Sequence, residues 1–285
     1  MFNSNSVVAI ILDYNKPELT NACLESIWRY NRIEIVLVNS GSADYSEYNA
    51  DIPFYYVTNK KNRSFSTGMN VGLEYASKLN PKYVIFLNND AIVNEKAIQL
   101  LVAALDLYPE LAMVSSAYGY SLGYLTKEKP LHLYDIDYNE PKIRKRKKLT
   151  GFCLCVRFET ISKIGGYDEN FIFTKEDDDL SYRILREGYT LAEVENSVVI
   201  HRISSSSNLY NTLDVQFLVT SLGFGMGLLV KKKEQNIVIM FFDLLIQDIR
   251  LFIKIVVVTH RINFNIFKWS LSGYINGHRR MNSET

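Results

Sequence analysis

Three cysteines, Cys23, Cys153 and Cys155, are few for a chain of 285 residues, and they show no metal-ligand spacing. Their odd count argues against a disulfide framework and for a reduced, cytosolic compartment. Net charge is nearly absent as well, at +1 from 32 basic and 31 acidic side chains, which gives no reason to expect nucleic acid as a partner. There is no glycine-rich dinucleotide fingerprint and no phosphate loop, so the commonest nucleotide-binding motifs are excluded. The first residues, Met1 to Ser6, lack a basic region leading into a long apolar run, and no signal peptide is expected. The most apolar stretch, Ile237 to Val258, is broken by five charged or amide residues, which argues against a membrane-spanning helix.

What is present is enough for a substantial core. Hydrophobic residues make up 47% and charged residues 22%, ordinary values for one large domain or a domain with an appendage. Short continuous apolar runs recur along the first third: Val7 to Leu12, Ile35 to Val38, Phe54 to Val57 and Tyr83 to Leu87. Runs of this kind mark strands buried on both faces. Helical stretches are expected at Glu18 to Tyr30, Thr67 to Leu79 and Asn94 to Tyr108, between or after them. Strands alternating with helices predict an α/β fold with a mostly parallel sheet. Further strands are expected at Leu111 to Ser116, Leu149 to Phe158, Thr190 to Val194 and Val198 to Ile200.

Polar turn formers follow these strands. In open α/β sheets ligands bind at the carboxyl ends of the strands. Tyr14, Asn15, Asn39, Asp44, Asn59 and Asp90 are therefore expected along one rim. Any single asparagine there also suits a plain turn.

The chain is organised around Glu176-Asp177-Asp178-Asp179, four consecutive acids between an aromatic loop and a helix. Like charges side by side raise one another's proton affinity, and a helix N-terminus recovers part of that cost. Asp179 and Arg183 stand four apart, a spacing for an ion pair on one helix face. The cluster reads either as an acidic helix start with a surface pair or as a catalytic group. Gly188 is placed to cap the helix that follows.

Three other stretches leave alternatives open. Tyr118 to Asn139 reads as a loop-rich insertion able to touch an acceptor. The basic run Lys142 to Lys148 is a solvated loop or a contact for phosphate or anionic lipid. Beyond Ser207 the pattern turns helical, and in Ile237 to Val258 a narrow polar stripe of Asp243, Gln247, Arg250 and Lys254 crosses an apolar helix. That region packs on the catalytic domain or on a second subunit as a homodimer, or lies in a membrane surface. The last is favoured by Lys231-Lys232-Lys233, Lys268 and Arg279-Arg280.

Taken in order, several segments resemble the family-2 glycosyltransferases of GT-A fold, particularly the bacterial rhamnosyltransferase-like branch. They are Ile11 to Asn15 with Cys23 to Ser26, Val38 to Ser42, Phe86 to Asp90, Gly165 to Glu169, and Glu176 to Leu180 with Arg183 and Gly188. The resemblance covers residues 6 to 205 and implies a GT-A, Rossmann-like catalytic domain over 1–206 with a helical appendage over 207–285. It implies a nucleotide-sugar donor, most often a UDP- or dTDP-sugar, bound by Tyr14, Asn15, Asn39, Asn70, Asn89 and Asp90. It further implies a divalent cation, Mg²⁺ or Mn²⁺, on Asp90 and His201, with Asp177 as the base and Glu176 positioning donor or acceptor. The acceptor would be a glycan or a lipid-linked sugar in surface polysaccharide synthesis. That places the protein in the cytoplasm, peripheral at the inner face of the membrane.

Three positions depart from the family pattern. Asn39 replaces an aspartate that reads the base, Asn88 replaces the first acid of the metal motif, and Ser64 replaces a glycine before Phe65. Two competing readings are a sugar-phosphate nucleotidyltransferase and a non-catalytic nucleotide-sugar-binding scaffold. The absence of a glycine-rich loop after Leu12 disfavours the first, and the presence of Asp90, Glu176 and Asp177 the second.

Overall fold

The computed structural model describes residues 6–31, 33–60, 64–94, 96–120, 139–201, 212–232, 237–259 and 264–280. The chain forms two compact units. The first comprises Met1–Asp168 and Leu180–Ile203, and the second Glu169–Asp179 and Ser204–Thr285.

In the first unit, strand β1 (Val7–Asp13) leads into helix α1 (Pro17–Tyr30). Pro17 starts that helix, where its missing N–H has no partner to lose. Strands β2 (Glu34–Asn39) and β3 (Tyr55–Thr58) precede helix α2 (Phe65–Ser77), and β4 (Tyr83–Asn88) and the short β5 (Ala91–Val93) precede α3 (Ala97–Leu107). After these come β6 (Leu111–Tyr120), β7 (Ile143–Arg146), β8 (Cys153–Arg157), α4 (Phe158–Lys163), helix α5 (Glu176–Arg186), of which only Leu180 onward belongs to this unit, and β9 (Thr190–His201). The sheet order is β3-β2-β1-β4-β8-β6-β9-β5, with β7 also paired to β9.

β1 lies parallel to both β2 and β4, as the apolar runs require. Its residues alternate between two cores, with Val7, Ala9 and Ile11 on the face of α1 and α3, and Val8 and Ile10 on the face of α2. Beyond β4 the sheet is mixed, because β8 runs antiparallel to both β4 and β6. Cys153 and Cys155 share one face with Cys23, as their spacing predicts. Burial pushes the Cys153 thiol up to about 12 and the Cys155 thiol well above its ordinary value, so neither is a nucleophile.

Several expectations need correction. The two predicted strands at 190–194 and 198–200 are one strand, β9, whose register with β6 jumps from Val194 to Val198 across a bulge. Residues Ile143–Arg146 of the basic run form an edge strand rather than a loop. Arg144, Lys145 and Arg146 pair with Glu195, Glu110 and Glu193, which offsets much of their charge and weakens the case for an anion contact there. Such charges also discourage pairing of this edge with another strand. The insertion predicted at Tyr118 to Asn139 begins inside β6, and residues 121–138 lie outside the described residues.

The second unit contains α6 (Thr212–Lys232), α7 (Ile237–Thr259) and α8 (Asn265–Arg280). α6 and α8 approach through glycines spaced four apart on each helix. A Cβ on Gly223 would lie 2.0 Å from Ser270 O, on Gly227 2.2 Å from Tyr274 O, and on Gly277 2.0 Å from Phe224 O. On α7 the polar positions Asp243 and Arg250 are exposed, and Gln247 turns towards Met226 Sδ at 4.0 Å; the Lys254 side chain lies outside the described residues. Beside them runs an unpredicted apolar stripe of Phe242, Ile246, Ile249 and Ile253, each at least 43% exposed. Among the described residues no helix is long and apolar enough to cross a membrane.

Candidate active site

The rim of the first unit is built on Asp13, the last residue of β1, which is fully buried. Its Oδ1 accepts from Thr20 Oγ1 at 2.6 Å and Asn89 Nδ2 at 3.1 Å, and its Oδ2 accepts from Tyr48 Oη at 2.9 Å. A buried carboxylate is tolerated only when donors replace its water, and these three do so. Burial and the neighbouring carboxylate push the Tyr48 phenol far up, so it stays a donor. Sequence reasoning passed over Asp13, whose signal was a charged residue closing an apolar strand.

Around this hub the predicted binding asparagines are mostly occupied in shaping loops. Asn39 donates through Nδ2 to Ala43 O at 2.6 Å and to Tyr56 Oη at 2.8 Å, while its Oδ1 accepts from Gly41 N at 2.8 Å. Only 3% exposed, it organises the turn after β2. Asn15, at φ 55°, accepts from Ser42 N at 2.7 Å, which ties the turns after β1 and β2 together. Asn59 donates to Ser40 Oγ at 2.9 Å, and Asp44 caps a short 3-10 turn at Tyr45–Glu47. Asn89 is directed to Asp13 and Thr20. Tyr14 is 47% exposed on the rim. Asn70 clasps the turn at Tyr167, donating to its O and accepting from its N, both at 2.8 Å. Ser64 sits at φ −77° and caps α2 through Thr67 N, so its serine costs no left-handed strain.

Asp90 and His201 meet at the next strand ends. β5 pairs antiparallel with β9, with Ala91 opposite His201, and this register carries the preceding Asp90 to the imidazole. His201 Nε2 lies 2.9 Å from Asp90 Oδ1 and 3.2 Å from Asn88 Nδ2, and its ring stacks on Phe152 with centroids 5.3 Å apart. Nε2 carries either a hydrogen or a lone pair, so it does not bond both neighbours as they stand. Rotating the Asn88 amide would bring its Oδ1 to the same point. Asp90 Oδ1, His201 Nε2 and that amide oxygen then converge on one point, a set that an Nε2–H hydrogen or a bound cation would satisfy.

The 2.9 Å spacing between Nε2 and Oδ1 also suits a cation. Adjacent ligands of an octahedral ion with bonds near ~2.1 Å stand about 3 Å apart. No group of three or more His, Cys, Asp and Glu side chains gathers around one point among the described residues. An ion held by this pair would have to complete its shell with phosphate oxygens and water.

The acidic turn belongs to the second unit up to Asp179. Asp177 Oδ1 accepts from Asp178 N at 2.9 Å, and Asp178 pairs with Lys175 Nζ at 3.3 Å. Burial, and then the charge of Asp177, push the Glu176 carboxyl well above its ordinary value. Its Oε2 is buried and meets no hydrogen-bond donor. For Glu176 the larger cause is desolvation, with the repulsion expected from the sequence second. Asp179, fully buried, pairs with Lys232 Nζ at 2.7 Å, and Arg183 Nη1 donates to Ile164 O at 3.0 Å. Lys232 therefore turns inwards, where the basic run at 231–233 had suggested a membrane contact; Lys233 and the Lys231 side chain lie outside the described residues. Gly188 takes φ 84° just beyond α5, as a helix cap requires.

A parallel β1–β4 half-sheet joined to a mixed half matches the GT-A-like fold of glycosyltransferases of known structure. Residues 8–162, more than half of the chain, match the family described as glycosyl transferase family 2, and the chain belongs to that family. It is 22% identical over 224 residues to the low-salt glycan biosynthesis hexosyltransferase Agl10 of Haloferax volcanii, covering 67% of this chain and 70% of that protein. Among solved structures it resembles the mannosyltransferase PcManGT of Pyrobaculum calidifontis in complex with GDP-Man and Mn²⁺. The TM-score is 0.58 at 17% identity over 81% of this chain, which spans 65% of that one. It also resembles GalNAc-T7 with UDP, GalNAc and Mn²⁺, with a TM-score of 0.55 at 15% identity over 76% of this chain and half of that one.

Proposed function

We propose that the protein is an inverting, cation-dependent glycosyltransferase. It would move a hexose or a deoxyhexose such as rhamnose from a UDP- or dTDP-sugar to a glycan or lipid-linked acceptor in surface polysaccharide synthesis. The observation that carries this reading is the meeting of Asp90, His201 and Asn88 at the strand ends of a family-2 sheet. Its chemistry asks for two things, charge neutralisation at the leaving diphosphate and a base for the acceptor hydroxyl.

Asp90 and His201 would hold Mg²⁺ or Mn²⁺, which supplies Lewis-acid neutralisation to the leaving nucleoside diphosphate. Asp177 takes the proton from the acceptor hydroxyl. The hydroxyl oxygen forms the new bond to the anomeric carbon as the bond to the diphosphate oxygen breaks, and one displacement inverts that carbon. Burial, and then the charge of Asp177, raise the proton affinity of Glu176, which favours placing the negative charge of the pair on Asp177. The turn organised by Asn39 and Asn15 shapes the base pocket, with Tyr14 exposed beside it. Because Asn39 offers no charge, uracil and thymine would be read by hydrogen bonding alone.

A lipid-linked acceptor would bring the protein to the inner face of a membrane. Support comes from the exposed stripe Phe242, Ile246, Ile249 and Ile253, and from Arg250, Lys268, Arg279 and Arg280, exposed on the same two helices.

The test is nucleotide release from a panel of UDP-, dTDP- and GDP-sugars with Mg²⁺, Mn²⁺ or EDTA, comparing wild type with Asp177→Asn. Release from one donor that needs metal and is lost in the variant is the expected result. Unchanged turnover in Asp177→Asn would remove that residue from the base role. Failure of every nucleotide to bind in calorimetry would remove the donor site altogether.

A further inference from the structure

The helices beyond residue 207 read from sequence as an appendage, yet the acidic turn is built on them. Four contacts, all within the second unit, join the turn to α6. Thr174 Oγ1 donates to Ser221 O at 3.0 Å. Phe171 is fully buried against Leu228 and Leu229. Gly225 lies beneath the turn so closely that a Cβ there would stand 2.6 Å from Thr174 O and 3.0 Å from Lys175 Cβ. Lys232 places its ammonium 2.7 Å from the fully buried Asp179 and 5.5 Å from the centre of the Phe171 ring.

The turn needs such support. Lys175 takes φ 73°, a left-handed conformation that a residue with a side chain adopts at a cost. Backbone strain of this kind persists only where the surroundings hold it. Four acids crowd the turn, and Asp179 among them is fully buried. An ammonium on Asp179 removes the need to hydrate that buried carboxylate.

We propose that Lys232 is a positioning residue for the transfer reaction, and that α6, through Lys232, Gly225 and Ser221, sets the backbone from which Asp177 acts. The inference rests on the catalytic reading of Asp177. It makes the C-terminal helices part of the catalytic apparatus, so that fusions or truncations after β9 would cost activity even with the sheet intact.

The test uses the full-length chain. Lys232→Met alone strands a buried charge and risks general unfolding, so the main variant is Asp179→Asn with Lys232→Met, which removes both charges and keeps the volume. Hydrogen–deuterium exchange is expected to speed up at least tenfold in peptides covering 171–179 and to stay unchanged in β1 and β4. The turnover number should fall tenfold to a hundredfold, as misplacing a reacting group by about 1 Å does. Calorimetric Kd for the nucleotide should stay within twofold. Lys232→Arg, which keeps the charge, should recover most of the turnover. Unchanged exchange at 171–179 would overturn the proposal whether or not a substrate is known. So would turnover equal to wild type in the double variant, or a fall with no rescue by arginine. If Asp177→Asn keeps full turnover, the base assignment fails separately, and the exchange result still reports on the support given by α6.

Discussion

Asn70 and Tyr167, 97 residues apart in the chain, exchange two hydrogen bonds of 2.8 Å, one to the carbonyl and one from the amide of the same residue. This clasp fastens the turn of Gly165 and Gly166, both at positive φ, to the side of α2. A Cβ on Gly166 would stand 2.5 Å from Asn70 Oδ1, so this glycine allows the approach that the amide then holds. Asn70→Ala removes both bonds. A loss of about 1–3 kcal/mol in unfolding free energy is expected from denaturant titration, since part-buried backbone groups lose their partners. A midpoint equal to wild type would show that the clasp contributes nothing.

Asp13 offers a second test at the rim. Tyr48→Phe leaves Oδ2 of this buried carboxylate without its phenol donor at 2.9 Å. We expect about 1–2 kcal/mol of destabilisation. Asp13→Ala should additionally release Asn89 and Thr20, and so disturb the turn that presents Asp90. The metal concentration for half-maximal nucleotide release should then rise. If it stays at the wild-type value, the hub serves folding alone.

For the cation, His201→Ala and Asp90→Asn each remove one of the two proposed ligands, which stand 2.9 Å apart. Each should raise the Mn²⁺ concentration needed for activity by tenfold or more, with little change in thermal midpoint for His201→Ala. Activity indifferent to both substitutions and to EDTA would exclude the pair from metal binding.

Asp248 gives a pH dependence of known sign. Buried on α7, its carboxyl is pushed up to about 6 by desolvation, and its Oδ1 has no hydrogen-bond partner. Ser270 on α8 stands near enough to favour the ionised form slightly, but its Oγ too meets no partner within bonding geometry. The native state holds this proton between the ordinary carboxylate range and pH 6, where the unfolded chain has released it. Stability therefore falls as pH rises through that window and stays lowered above it. Asp248→Asn should abolish this fall and raise stability at pH 7 by about 3 kcal/mol, each tenfold change in proton affinity being worth about 1.4 kcal/mol. Identical pH profiles for the two proteins would refute it.

The α7 stripe is testable with vesicles. Phe242→Ser with Ile249→Ser removes two apolar side chains that are 56% and 43% exposed, so the thermal midpoint should barely move. Partitioning onto anionic vesicles should drop at least tenfold, given that each such side chain contributes about 1.5–3 kcal/mol when buried. Wild-type protein that ignores vesicles and sediments as a dimer would assign the stripe to a second copy.

Much of the first unit could be read directly from the chain. A run such as Val7 to Leu12, apolar at every position, has no polar face to offer water, so it forms a strand covered on both sides. Periodicity likewise marked α1, α2 and α3 to within a few residues. Polar residues ending those strands pointed to the rim, and the acidic run pointed to a special helix start. These are local signals, carried by residues within one turn or one strand of each other.

Pairing decided the rest. β5 has only three residues and β7 is mostly charged, so neither carries an apolar pattern, and each exists because β9 offers it a ladder. The bulge in β9 left the sequence looking like two strands. His201 meets Asp90 through a register, and Lys232 meets Asp179 across 53 residues of chain. Asn39 and Asn70 have the chemistry of ligand-binding residues, and only the structure shows that their bonds to Gly41 and Tyr167 also build turns. By itself the sequence determined the family, the strands and the residues rich in chemistry, because these follow from local pattern and side-chain type. Which of those residues meet was decided only by the tertiary structure. A hydrogen bond or ion pair depends on a few ångströms of separation, set by how distant segments pack rather than by anything within reach along the chain.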